Sequence, residues 1–147
     1  MYRQIGNVDA IVRLLLARDL YRFLISIPSD VSQKYNPTAF IKLFVAVVQQ
    51  ARAHPVLAKV MRDEPELIGP FLVAELPALI GRVGSQIVPL LRWAMDEGTL
   101  ARRNPQRLAD WLVRAAVTLI LAPPNDDLEE FLAEVLVPVL SPPRSRR

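Results

Sequence analysis

Residues 108–122 read LADWLVRAAVTLILA, and every one is apolar except Asp110, Arg114 and Thr118, which fall four apart. On a helix, positions i, i+4 and i+8 drift by only about 80°, so the polar stripe is narrow and most of the circumference must be kept from water. Such a helix either runs through the middle of a large bundle, or packs on its own domain with one face and on a second subunit with another. A chain of 147 residues offers few places for a central helix. The two-sided arrangement is therefore the sharper expectation, and burial inside a single subunit is its alternative.

The punctuation on either side of this segment sets the rest of the chain. Asn104-Pro105 supplies an N-cap and a first-turn proline, and Pro123-Pro124 stops the helix. Asn125 is expected to cap a last helix whose first turn holds Asp126, Asp127, Glu129 and Glu130, where the helix dipole favours anions, and whose body over 131–140 is largely apolar. Upstream, Asn36-Pro37 gives the same cap-plus-proline start to a helix reaching about Ala53, with a middle, AFIKLFVAVV, that is apolar apart from Lys42. His54-Pro55 closes that helix and opens a short one over 56–63, and Glu64-Pro65 restarts the chain. Pro70 and Pro77 predict a short helix, a kink and a longer helix over 78–97, ended by Gly98 as a C′ glycine. Asn7 is expected to cap a helix over 8–27 with Val8, Ile11, Val12, Leu15, Leu16, Leu20, Phe23, Leu24 and Ile27 inward, followed by a polar connection over 28–35. No period-2 run or Asn-Gly hairpin turn interrupts this helical periodicity, so the expected class is all-α.

Apolar residues make up 52% of the chain and charged residues 22%, with a mean hydropathy of +0.23. That balance is oily for a soluble protein and favours an extra buried surface. The absence of cysteine excludes disulfides, a thiolate nucleophile and Cys-ligated metals. The net charge of +3 draws on Arg144, Arg146 and Arg147 behind Pro142-Pro143, expected as a basic disordered tail over 141–147. Met1 is not followed by a basic and then apolar leader, so export is not expected. The oiliest stretches, 67–81 and 115–124, are too short, or too broken by Pro70, Glu75 and Pro77, to span a bilayer. A soluble, cytoplasmic protein without a membrane partner is the expectation.

Catalytic patterns are missing. His54 is the sole histidine and precedes a proline at a helix end, which reads as a cap. Gly81-Arg82-Val83-Gly84-Ser85 lacks the lysine, the glycine spacing and the preceding strand of a phosphate loop, and reads as helix packing. The acidic group Asp126, Asp127, Glu129 and Glu130 lacks the alternating ligands and turn glycine of a calcium loop. Neither an enzyme, a metal site nor a cofactor is expected. Ligand binding is the better candidate, because aromatic and flexible side chains gather on the middle helices, among them Phe40, Phe44, Met61, Phe71, Trp93, Met95 and Trp111. Glu75, flanked by Leu72, Val73, Ala74 and Leu76, is costly if buried unpaired and is a candidate polar anchor. The candidate ligand-binding set is Phe44, Met61, Phe71, Glu75, Trp93 and Trp111; core filling is the alternative for each.

Four stretches in this order, MYRQIGNVDAIVRLLLARDL, HPVLAKVMRDEPEL, MDEGTLARRNPQRLADWLVR and FLAEVLVPVL, resemble transcriptional regulators of the tetracycline-repressor (TetR) type from the end of the DNA-reading helix onward. The resemblance covers nearly all 147 residues. It implies a C-terminal bundle of about six helices that binds a small hydrophobic effector and forms a homodimer through a four-helix contact made by the last two helices of each chain. On that resemblance residues 1–7, with Tyr2 and Arg3, are a remnant of the recognition-helix exit, and 8–140 form the effector-binding and dimerisation domain. The family's preceding helix-turn-helix has no counterpart in these residues, and Val8 stands where many members carry lysine. No complete DNA-binding module, and no DNA binding by this chain alone, is therefore expected. Either a start upstream of Met1 or a truncated gene accounts for that. The expected contact residues are Leu112, Ala116, Leu119 and Ile120 with Leu132, Leu136 and Val139; Val113, Val117 and Leu121 make an equally good seam. An alternative function is a helical interaction protein that docks another protein through its apolar C-terminal helices without a small ligand.

Overall fold

The structure, a computed structural model, describes residues 36–144. Within them the chain is all-helical: α1 (Pro37–Ala53), α2 (Pro55–Asp63), a 3-10 turn (Pro65–Leu67), α3 (Ile68–Asp96), α4 (Pro105–Leu121) and α5 (Leu128–Leu140). The helix expected over 8–27, the Tyr2 and Arg3 remnant, and the last residues of the tail lie outside the described residues. α3 packs along α4, and α1 contacts both α4 and α5, so α1 sits at the centre of the arrangement. The main core gathers Ile41, Val45 and Val48 of α1, Leu91 and Met95 of α3, Leu112 and Ile120 of α4, and Leu132, Leu136 and Leu140 of α5.

The helix starts follow from local chemistry. Asn36 Oδ1 accepts the Ala39 N–H at 2.9 Å and Asn104 Oδ1 accepts the Arg107 N–H at 2.9 Å, each with proline in the first helical position. Proline there removes a donor that has no intrahelical partner anyway. His54 is the cap of α2, its Nδ1 accepting the Val56 N–H at 3.3 Å. Replacing Asn104 with alanine orphans the Arg107 donor and is expected to cost about 1 kcal/mol, read as a lower urea midpoint at unchanged slope. α5 begins later than Asn125 suggests: the cap is Asp127, whose Oδ1 accepts the Glu130 N–H at 3.0 Å, with Glu129 and Glu130 in the first turn and Asp126 outside it. A full negative charge at the positive end of the helix dipole makes Asp127 the stronger acceptor.

The largest departure from the sequence expectation is α3. It runs through Pro70 and Pro77 as one helix of 29 residues, with Pro77 and Pro89 in its interior. Pro70 lies in the first turn, where its missing N–H costs nothing. Pro77 and Pro89 each remove a bond to the carbonyl four residues back, on Val73 and Ser85. Both prolines and both of those residues are exposed, so water can satisfy the freed carbonyls. The helix ends as expected at Gly98, the one residue at positive φ (76°) among those described. Gly98 N–H donates to the Met95 carbonyl at 3.1 Å and Thr99 N–H to the Ala94 carbonyl at 3.0 Å, the paired bonds of a Schellman motif. By length and composition the stretch Pro65–Asp96 could cross a membrane, so broken continuity no longer argues against it. Within it Leu79, Ile80, Val83, Leu91, Ala94 and Met95 are buried in the bundle, while most of the apolar stretch is not buried.

The loop after α3 is pinned to the far end of α5. Ala101 N–H donates to the Leu140 carbonyl at 2.8 Å, and Arg103 Nε donates to the Val139 carbonyl at 3.2 Å. The start of α4 therefore lies beside the end of α5.

Candidate functional site

Three helices leave a space between them. Phe40, Leu43, Phe44, Val47 and Ala51 of α1, Leu79, Val83, Ile87 and Leu90 of α3, and Leu112, Val113, Ala116, Val117 and Ile120 of α4 line a partly open cavity of about 100 Å³. The spacings explain the wall. On α3, Leu79, Val83 and Ile87 recur every four residues, and on α4 Leu112, Ala116 and Ile120 do the same, so each helix turns one stripe inward. Every described residue of the lining is hydrophobic.

At the edge of this wall Arg52 of α1 donates from Nη1 to the Ile120 carbonyl in the last turn of α4. A guanidinium there satisfies a carbonyl that the helix leaves orphaned and complements the negative end of the dipole. It ties the ends of α1 and α4 together beside Ala51 and Ile120, which both face the cavity.

Of the six residues singled out for ligand binding, Phe44 lines this cavity. Met61 on α2, Phe71 near the start of α3 and Trp93 towards its end are half-buried and stand outside the lining. Glu75 is exposed, so its carboxylate carries no burial cost to be explained by a ligand. Trp111 lies on the outer side of α4 and is 47% exposed. The lining consists mostly of aliphatic residues that the sequence does not distinguish from ordinary core. Val113 and Val117, read as a possible subunit seam, face the cavity instead.

The expected contact set also needs correction. Leu112 (1% exposed), Leu119, Ile120, Leu132 and Leu136 (2%) are enclosed within the single chain, in the core that α1 shares with α4 and α5. A second chain cannot reach them while this core stays packed. Ala116 and Val139 are half-buried. What α4 and α5 do expose is Trp111, Phe131 (43%) and Val135 (54%). The polar stripe of α4 is exposed beside Trp111: Arg114 Nε donates to Asp110 Oδ1 at 2.5 Å, and Thr118 Oγ1 donates to the Arg114 carbonyl at 3.1 Å. That hydrogen bond first, and the Asp110 charge second, raise the Arg114 pKa above its ordinary value.

No family model, curated protein or solved structure matches this chain. Its function must be argued from the bundle itself. Among the described residues no three of His, Asp and Glu gather at one point, and His54 is engaged as a helix cap.

Proposed function

We propose that this chain is a small-molecule-binding and dimerising regulatory domain of the kind found in TetR-type transcriptional regulators, soluble and without catalysis of its own. One observation carries the reading: α4 has two working faces. Leu112, Val113, Ala116, Val117 and Ile120 wall the apolar cavity, while Trp111 stands exposed on its outer side, as Phe131 and Val135 do on α5. A ligand that fills the cavity displaces or stiffens the helix that bears the outer surface, which is how occupancy would reach a second subunit. A twofold contact places each copy's Trp111, Phe131 and Val135 against the same patch on the other.

Exposed aromatic side chains on α4 and α5 also fit a second reading, docking of a different protein on the C-terminal helices without a small ligand. Tryptophan emission separates the two. On dilution of the purified chain from micromolar to nanomolar concentration, the homodimer predicts a red shift as Trp111 enters water, and Trp111→Phe removes that shift. Emission independent of concentration in the wild type favours the second reading.

A further inference from the structure

The geometry points to a ligand class for the cavity between α1, α3 and α4: a compact, uncharged, purely apolar molecule such as a single hydrocarbon ring or a short branched alkyl group. This inference rests on the ligand-binding reading above. Among the described residues the lining offers no side-chain donor or acceptor, so any hydroxyl, amine or carboxylate brought against it loses its water without replacement. Arg52, beside the lining residue Ala51, is committed to the Ile120 carbonyl at the end of α4, and an acidic ligand drawing on it would have to break that tie. Glu75, the polar anchor suggested by the sequence, is out in solvent.

Size narrows the class further. The cavity measures about 100 Å³, whereas an apolar cavity of roughly 150 Å³ in another protein stays dry and takes up benzene or xenon. A single ring or a xenon atom is therefore the scale of occupant. The partly open side leaves room for a short alkyl substituent on such a ring. Aliphatic walls at Leu79, Val83, Val113 and Val117 supply dispersion contacts all round without directional demand. Selectivity is then expected to follow shape and volume, with benzene and cyclohexane behaving alike.

Methyl-resolved NMR of the full chain, titrated separately with benzene, cyclohexane, xenon, benzoate and decanoate, tests this. Benzene, cyclohexane and xenon are expected to shift the methyl signals of Val83, Val113 and Val117, and benzene to raise the unfolding temperature by about 2–5 °C near saturation. Benzoate and decanoate are expected to do neither. Ala116→Leu, which grows into the space, should weaken benzene binding at least tenfold. The methyl titration needs no variant, so the test stands even if Ala116→Leu folds poorly. Shifts of these methyls by benzoate or decanoate, with benzene silent, would overturn the ligand class and leave the binding reading intact. Silence from all five probes would overturn both.

Discussion

Val135→Glu is expected to turn a dimer into a monomer while leaving the fold of each chain in place. Val135 is 54% exposed on α5, so a glutamate there is hydrated in the isolated chain and disturbs no packing. In a twofold contact through the exposed residues of α5 the two new carboxylates are brought together beside Phe131 and lose water. Desolvating them costs on the order of 3 kcal/mol, roughly 100-fold in the dimer dissociation constant. Sedimentation velocity reads the change directly, and far-ultraviolet circular dichroism should stay superimposable on the wild type. Unchanged association would remove this face from the account.

The neighbouring residue should behave in the opposite way. Leu136 is 2% exposed and packs with Leu132 and Leu140 against α1. Leu136→Ala deletes buried methyl groups and leaves a cavity, at a cost of about 2–5 kcal/mol. Domains of this size hold only about 5–15 kcal/mol in total, so the urea midpoint falls steeply. Association measured below that midpoint should be little changed. One position apart on the same helix, Val135 thus reports on the subunit contact and Leu136 on the fold. If Leu136→Ala instead dissociated the dimer with little loss of stability, the core packing of α5 against α1 would be wrong.

This pair also shows what could be read in the sequence. The helix starts were legible, because Asn36-Pro37, His54-Pro55 and Asn104-Pro105 carry their own local chemistry, and the Gly98 stop follows from its positive φ. Proline was harder. Pro77 and Pro89 sit on the wet side of α3, where the lost hydrogen bonds are replaced by water, and that depends on burial rather than on residue type. The apolar richness of α4 was visible, but a single chain encloses Leu112, Leu119 and Ile120 and leaves Trp111 as the large apolar side chain exposed on this helix. Leu112 and Ile120 look like Trp111 and Leu121 on a helical projection. Which stripe meets α1, which meets α3 and which is left outside depends on how three helices pack around one another. The cavity was illegible for the same reason: its walls are aliphatic stripes at four-residue spacing, identical in pattern to a filled core. Aromatic residues and Glu75 drew attention as ligand contacts by their chemistry, and of these Phe40 and Phe44 reach the space.

Everything functional in this account turns on α4 being shared between a cavity inside the chain and a second copy outside it. Sedimentation equilibrium of the full chain at micromolar concentration tests the outer half of that claim most directly. The account predicts a species of twice the 16.5 kDa chain mass, dissociating on dilution and weakened by Val135→Glu. A single ideal species at the mass of one chain, unchanged across the concentration range, would contradict it.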